Sequence, residues 1–323
     1  MRLGVALFVL LAASAASAYL SPKHLERIVV SGSEYIRMAD WAEGTGFNLT
    51  WEGKDEAITL SGPAGRMKFA VDSRKVEIDG VNVWLSLPVV NRLGAPLLSV
   101  IDLSKTIEPI LFPHKVEQRV KIVCLDPGHG GKDAGKIERH NYEKTYTMLL
   151  ADEVAILLKR EGLKVLLTRT RDTTLELGDR AVIARRQGAD LFVSLHYNGF
   201  PDADTRGLEV YCLTPAGMNS SNEGGGKGPR LPEIGNEHDD NNVLLGYEMQ
   251  KAITATVPLE DLGMKRSRFE VLRQASMPAI LIEGGFMSNS SDAKNIYDSG
   301  FRKRMAQAIV NGILAYKKTV EHF

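Results

Sequence analysis

The stretch Ile122-Val123-Cys124-Leu125-Asp126-Pro127-Gly128-His129-Gly130-Gly131 decides the fold of this chain. A short apolar run that ends at Pro and Gly is typical of a buried strand in a parallel sheet. Two later runs of the same kind end directly before His196 and Glu283. In open α/β sheets, ligands bind just outside the carboxyl ends of such strands. We therefore predict that His129, His196 and Glu283 converge on one edge of a sheet.

The second part of the chain alternates between strand-like and helix-like segments. The predicted strands are 122–125, 164–168, 191–195, 208–213 and 279–282, and the predicted helices are 143–160, 177–187, 242–255 and 301–317. Such alternation predicts an α/β domain over residues 120–323, with three layers and a mainly parallel sheet. The polar stretch 219–242 is rich in Gly, Asn and Ser and is too long for a plain connector. It predicts a mobile lid or a disordered insertion.

Residues 19–112 follow a different pattern. Helical spacing occurs once, near residues 35–42, and strand-like alternation follows it. Asp79-Gly80 lies between two such strands and is a strong signal for a two-residue hairpin. This region contains no cluster of His, Cys, Asp and Glu that is suited to chemistry. We predict a small α+β domain, joined to the second domain by a linker over residues 113–119.

Composition and the amino terminus bear on the compartment. The chain has 323 residues, and its 40 Lys and Arg balance its 40 Asp and Glu, which does not favour nucleic acid or an anionic membrane as partner. An apolar run and a small-residue segment that ends at Ala18 predict a signal peptide over residues 1–18. We therefore predict export to the periplasm or the cell wall, without a transmembrane span after cleavage. Export permits a disulfide between Cys124 and Cys212, but their apolar surroundings favour two buried thiols.

The residues at the predicted sheet edge suit a metal. Two imidazoles and one carboxylate form an established ligand set for catalytic zinc, with one further position left open. His129 and His196 supply the imidazoles, and Glu143 begins the first helix, close enough to fold back over the same edge. As an alternative, Glu143 is an acid that favours the helix dipole. Glu138 competes for the ligand role, and His140 is the competing imidazole, which we expect at the surface.

Glu283 has the position expected of a general base. It follows an apolar run and precedes Gly284-Gly285. Burial of an unpaired carboxylate costs roughly several kcal/mol. A carboxylate that faces a metal-bound water avoids that cost and can accept a proton from the water. We therefore predict that Glu283 is a base in the attack and an acid toward the leaving amine. We predict that Asp126 orients the loop around it or a His ligand.

Four motifs carry a resemblance to a known family. They are Asp126-Pro127-Gly128-His129-Gly130-Gly131, Glu143-Lys144, Ser194-Leu195-His196-Tyr197-Asn198 and the segment 271–289. In this order they resemble the zinc-dependent N-acetylmuramoyl-L-alanine amidases of the Amidase_3 type, over residues 120–323. The resemblance implies that His129, Glu143 and His196 bind Zn²⁺ and that Glu283 is the catalytic acid/base. Asn198 and Arg273 lie in the same motifs and are candidates, like Asp126, for contacts to the substrate or to the ligands.

The resemblance also implies a reaction, which is hydrolysis of the amide between the muramyl lactyl group and L-alanine in peptidoglycan. At the position of residues 219–242, some relatives carry a regulatory segment that occludes the site. In this chain the Gly and Asn content of residues 219–242 disfavours a blocking helix. Residues 19–112 resemble the copper-amine-oxidase N-terminal-like domain of exported bacterial wall enzymes. Two alternatives stay open: a peptidoglycan-binding protein on an inactive amidase scaffold, and a zinc peptidase that acts on stem peptides.

Overall fold

The computed structural model describes residues 25–53, 56–115 and 119–321. The predicted signal peptide, residues 1–18, and residues 116–118 of the predicted linker lie outside the described residues. Within those ranges, no helix is both long enough and apolar enough to cross a membrane.

Strands and helices are numbered in chain order. The strands are β1 Ile28–Val30, β2 Ser33–Arg37, β3 Asn48–Glu52, β4 Ala57–Gly62, β5 Gly65–Ala70, β6 Lys75–Ile78, β7 Val81–Trp84, β8 Val90–Arg92, β9 Ala95–Ser99, β10 Ile122–Pro127, β11 Ile137–Glu138, β12 Asn141–Tyr142, β13 Lys164–Leu167, β14 Leu191–Asn198, β15 Leu208–Leu213, β16 Asp261–Ser267 and β17 Ala279–Phe286. The α-helices are α1 Met38–Thr45, α2 Val100–Asp102, α3 Glu108–Leu111, α4 Glu143–Arg160, α5 Leu177–Arg186, α6 Asp239–Thr256, α7 Glu270–Arg273, α8 Ser290–Tyr297 and α9 Ser299–Val320. A π-helical turn, Leu103–Ile107, joins α2 to α3.

One large sheet runs through the molecule. Its eleven strands have the order β13-β10-β14-β17-β15-β16-β7-β6-β5-β4-β3. The strands β13, β10, β14 and β17 are parallel, which places their carboxyl ends at one edge. β15 then pairs antiparallel to β17, and β16 is parallel to β15. The predicted α/β class is confirmed, and the sheet is mixed because β15 reverses its direction.

Helices cover both faces of this sheet, which gives the three predicted layers. Along β10, Val123 and Leu125 belong to one apolar core, and Cys124 between them belongs to another, because successive side chains of a strand point to opposite faces. α4, α6 and α9 pack on the first face, and α5 and α7 cover the second. Cys124 and Cys212 are buried and unpaired, as predicted.

The N-terminal region, residues 25–112, contributes its own strands to the large sheet. β3 to β7 form an antiparallel meander, and β7 pairs with β16 through Val83 and Met264. A second sheet, of four strands, has the order β1-β2-β9-β8. The prediction of a helix over residues 35–42 is wrong in its first part, because residues 35–37 pair with β9 and α1 begins only at Met38.

The polar segment 219–242 differs from the prediction of a lid or a disordered insertion. It contains two 3₁₀ turns, Ser221–Glu223 and Ile234–His238, and α6 begins within it at Asp239. Its backbone contacts the N-terminal region: the amide of Gly226 donates to the carbonyl of Ser86 at 2.9 Å, and Arg74 Nη2 donates to the carbonyl of Ser221 at 3.0 Å. These contacts hold the segment against the N-terminal region. None of the segment's described residues lines the cavity that contains His129, His196 and Glu283.

Candidate active site and metal centre

Three side chains meet at the carboxyl edge of the parallel strands. His129 follows β10, His196 lies near the end of β14, and Glu143 is the first residue of α4. Glu143 Oε1 lies 2.9 Å from His129 Nε2 and 3.1 Å from His196 Nδ1, and the two nitrogens are 3.2 Å apart. Within the described residues, this is the group of His, Cys, Asp and Glu whose spacing suits a metal ion.

Glu143 is fixed from two sides. Its Oε1 accepts a hydrogen bond from the amide of Tyr197 at 3.0 Å, and its Oε2 accepts one from the amide of Lys136 at 2.8 Å. Burial alone would raise the pKa of Glu143, but the hydrogen bonds and charges of His129 and His196 outweigh it and lower the pKa below its ordinary value. Glu143 is therefore an anion whose carboxylate is held in place between the two imidazoles.

His129 is held in an unusual backbone conformation. Its φ of 61° lies in the left-handed region, where residues with a Cβ are uncommon and which often marks a functional site. Its Nδ1 lies 2.8 Å from Asp133 Oδ2, and its Nε2 faces Glu143. Burial opposes the charged imidazole, but the hydrogen bonds to Glu143 and Asp133 raise the pKa of His129 above its ordinary value. Asp133 thus fixes the ring and directs Nε2 toward the centre.

Two glycines leave room for the ligands. A Cβ at Gly135, whose φ is +66°, would lie 2.5 Å from Glu143 Oε2 and 2.6 Å from His129 Cδ2. A Cβ at Gly128 would collide with the ring of His196. The tight packing of side chains against backbone explains why Gly occupies both positions.

A buried ion pair supports the loop after β10. Asp126 is fully buried, and its Oδ1 accepts hydrogen bonds from Arg180 Nη1 at 2.9 Å and Thr168 Oγ1 at 2.6 Å. Its Oδ2 accepts from Ser194 Oγ at 2.7 Å. Arg180 Nη2 in turn donates to the carbonyl of His129 at 2.9 Å. Asp126 is therefore linked to the backbone of His129 through Arg180, and no hydrogen bond joins it to a His side chain among the described residues.

Glu283 lies in the same cavity as the three ligands, opposite His196 in the pairing of β14 and β17. Its Oε2 is inaccessible and has no hydrogen-bond partner among the described residues. Burial raises the pKa of Glu283 well above its ordinary value, and the charges of Glu143 and Glu209 add to this. A carboxyl oxygen that is buried without a hydrogen-bond partner is costly to keep for stability alone, which points to a role in chemistry.

The cavity has a volume of about 460 Å³. Its lining comprises His129, Lys136, Glu143, Leu177, Arg180, His196, Tyr197, Asn198, Gly199, Phe269, Glu270, Val271, Leu281 and Glu283. A cavity of this size at the strand ends has the dimensions of a ligand-binding site.

Of the two other predicted candidates, one lines the cavity and one does not. Asn198 lines the cavity, and its Nδ2 donates to Glu209 Oε2 at 2.9 Å. Arg273 does not line the cavity and forms ion pairs with Glu270 at 2.8 Å and Glu233 at 3.1 Å; its contact with the substrate stays a prediction.

Neither competitor for the ligand role belongs to the metal-suited group. Glu138 lines a different cavity, and His140 is exposed. The sequence prediction missed Asp133 and Arg180. Asp133 had one usable signal, since it follows His129 by four residues in a Gly-rich loop.

The three ligand atoms suit Zn²⁺ in size and chemistry. Zinc bonds His nitrogen and carboxylate oxygen at about 2.0–2.2 Å in a tetrahedron, whose edges are then about 3.3–3.6 Å long. The three separations of 2.9, 3.1 and 3.2 Å come close to such an edge. The cavity lies on the open side of this triangle and leaves space for a water molecule or a substrate oxygen.

Comparison with known proteins agrees with this description. The model of the N-acetylmuramoyl-L-alanine amidase family, Amidase_3, matches residues 123–315. The chain is 32% identical over 224 residues to the N-acetylmuramoyl-L-alanine amidase AmiA of Salmonella typhimurium, an alignment that covers 61% of this chain and 76% of that protein. It is 31% identical over 199 residues to the probable cell wall amidase LytH of Staphylococcus epidermidis, with 61% and 58% covered.

Solved structures show the same fold. The catalytic domain of the amidase CwlV from Bacillus (Paenibacillus) polymyxa var. colistinus matches with a TM-score of 0.51 and 33% identity, over 62% of this chain and 99% of that one. The amidase AmiC2 of Nostoc punctiforme matches with a TM-score of 0.52 and 32% identity, over 61% and 97%. Fold and sequence together define an amidase. The chain belongs to the N-acetylmuramoyl-L-alanine amidase family, Amidase_3, and is an enzyme of that class.

Proposed function

We propose that this enzyme is zinc-dependent and hydrolyses the amide between the lactyl group of N-acetylmuramic acid and L-alanine in peptidoglycan. One observation carries the proposal: His129, Glu143 and His196 form a triangle of ligand atoms, and Glu283 lies in the same cavity without a partner for Oε2. The relatives named as N-acetylmuramoyl-L-alanine amidases support the choice of bond.

His129 Nε2, His196 Nδ1 and Glu143 Oε1 would hold the zinc ion. When bound, zinc supplies a Lewis acid for the scissile carbonyl and makes water more acidic. Glu283 accepts the proton of the attacking water on its carboxylate and then delivers it to the nitrogen of L-alanine, which leaves as an amine. The raised pKa of Glu283 suits this exchange, because the group can hold a proton between the two steps.

Two other functions make different predictions. A peptidoglycan-binding protein on an inactive scaffold has no need for an acid with an unpartnered buried oxygen beside a group that could hold a metal ion, and this arrangement supports the hydrolase. A zinc peptidase would use the same chemistry on a bond within the stem peptide. The named relatives favour the muramoyl amide over that bond.

The products of one digestion separate these functions. Purified peptidoglycan is incubated with the mature enzyme and zinc, and soluble products are identified by mass spectrometry. We expect intact stem peptides with a free L-alanine amine, and glycan strands with free lactyl carboxylates. Truncated peptides attached to glycan would identify a peptidase, and bound zinc without any cleavage would identify a binding protein.

We also propose where the enzyme acts and what kind of domain its N-terminal region forms. The apolar run that ends at Ala18 supports export, and the relatives named as cell wall amidases support action at the wall. We further propose that residues 19–112 form a domain of the copper-amine-oxidase N-terminal-like kind, on the basis of their sequence pattern. An N-terminal sequence of the secreted protein that starts after Ala18 would support export with cleavage.

A further inference from the structure

The backbone of Lys136 is hydrogen-bonded to Glu143, one of the three proposed zinc ligands. Its amide donates to Glu143 Oε2 at 2.8 Å, and its carbonyl accepts from the amide of Glu143 at 2.9 Å. The side chain lines the cavity, with its aliphatic part over Gly199. A Cβ at Gly199 would lie 2.6 Å from Lys136 Cδ and 3.1 Å from Cε. The backbone of Lys136 is therefore fixed relative to Glu143, and its aliphatic part crosses Gly199.

Lys136 differs from the other cation of the cavity in having no anionic partner. Arg180 is buried and pairs with Asp126 at 2.9 Å. For Lys136 the structure shows no ion pair with any residue in the ranges 25–53, 56–115 and 119–321. Glu270, which also lines the cavity, is already paired with Arg273 at 2.8 Å. The cavity therefore presents one unpaired cation beside the metal centre.

A substrate carboxylate is the group that such a cation binds best, through a charge-assisted hydrogen bond. The N-acetylated sugars of the glycan are neutral, so the carboxylates of the substrate belong to the stem peptide. The first one after the scissile bond is the free α-carboxylate of the glutamyl residue that follows L-alanine. We propose that Lys136 binds this carboxylate and so determines the side of the cavity that receives the peptide; this rests on the proposed function.

The test uses two muropeptides that differ in one group. Both contain the disaccharide and a tripeptide stem, and the second stem residue is D-isoglutamate in one and D-isoglutamine in the other. We expect the wild-type enzyme to prefer the isoglutamate substrate in kcat/KM by roughly tenfold, the usual size of a charge-assisted hydrogen bond. Lys136→Met should remove this preference by slowing only the isoglutamate substrate, and Lys136→Arg should retain most of it.

Two further variants control for charge and position. Lys164→Met removes the same charge at the start of β13, away from the carboxyl edge, and should leave the preference unchanged. Gly199→Ala keeps Lys136 but displaces its aliphatic part, and should reduce the preference. Equal values of kcat/KM for the two substrates in the wild type, or an equal loss on both in Lys136→Met, would overturn the proposal.

Binding separates this proposal from the proposed function. In the Glu283→Gln background, calorimetry measures the affinity for the intact stem peptides without catalysis. Tighter binding of the isoglutamate peptide, lost with Lys136→Met, supports the role of Lys136 even if the enzyme were to cleave a different bond. Equal affinities for the two peptides would contradict it. Zinc content and thermal unfolding of each variant show whether it is folded.

Discussion

Each of the two regions of the molecule contains an acidic side chain with a buried carboxylate oxygen, and the two acids differ in their hydrogen bonds. In the N-terminal region, Asp102 accepts hydrogen bonds from the amides of Ser86 and Leu87, at 2.6 and 2.9 Å, and from Ser99 Oγ at 2.5 Å. In the C-terminal region, residues 119–321, Glu283 Oε2 has no partner among the described residues. Burial raises the pKa of both groups. The partners, and not the burial, distinguish a structural acid from a candidate catalytic one.

The two regions nevertheless share one sheet. β7 and β16 pair, Trp84 Nε1 donates to the carbonyl of Leu262 at 2.9 Å, and the amide of Asn82 donates to Asp261 Oδ2 at 2.9 Å. Lys265 Nζ lies 5.5 Å from the ring centroid of Trp84 and pairs with Glu209, the residue opposite Glu283. The N-terminal region therefore supports the strand beside the active site, which a flexibly tethered module would not do.

The largest effect is expected from loss of a metal ligand. His196→Ala removes one of three ligands, so we expect zinc content to fall from one per chain to near zero and cleavage to fall at least about 10³-fold. His140→Ala is the matched control, because His140 is exposed and lies outside the group. Undiminished zinc in His196→Ala, measured by elemental analysis, would contradict the ligand assignment.

Glu283→Gln tests the unpartnered acid. The amide keeps the size of the side chain but cannot accept and return the proton, so we expect kcat to fall by about 10²–10⁴-fold with zinc retained. Since the buried carboxylate of Glu283 contributes little to stability, the thermal midpoint should be unchanged or higher. Near-normal turnover in this variant would assign the base elsewhere.

Removal of residues 1–118 tests the junction between β7 and β16. It exposes an edge of β16 and leaves Lys265 without Trp84, so we expect residues 119–323 to cleave soluble fragments but to unfold at least about 5 °C lower than the full chain. The full chain should unfold in one calorimetric transition. Two separated transitions would show that the regions are independent.

Asp102→Asn is the counterpart of Glu283→Gln. One carboxylate oxygen becomes an NH₂ group that faces hydrogen-bond donors, so we expect the free energy of unfolding to fall by about 1–3 kcal/mol. We expect kcat to stay within roughly twofold of the wild-type value. Chemical denaturation and peptidoglycan cleavage measure the two quantities. A large loss of kcat without a loss of stability would remove the distinction between the two acids.

The sequence predicted those parts of the fold and site that depend on local pattern. The apolar runs before His129, His196 and Glu283 are each bounded by Gly, Pro or a polar residue, and each is a strand that ends at the expected edge. α4 begins at Glu143 and α5 at Leu177, as predicted. The parallel strands β10, β14 and β17 are neighbours in the sheet, which brings His129, His196 and Glu283 to one edge, and Glu143 joins them from the start of α4.

Other parts depend on contacts that are distant in sequence. β16 was not predicted, because Asp261–Ser267 contains Gly and charged residues; Lys265 and Arg266 find their partners in Glu209 and Thr106. Tyr35 has helical spacing but pairs with Ser99. Such pairings are decided by tertiary context, which overrides local preference.

Anomalous diffraction at the zinc absorption edge, from crystals grown with zinc, tests the central claim most directly. We expect one peak per chain in the cavity, about 2.0–2.2 Å from His129 Nε2, His196 Nδ1 and Glu143 Oε1, with the carboxylate of Glu283 facing the open side of the ion. A peak bound by other residues, or no peak at this triangle at saturating zinc, would contradict the account.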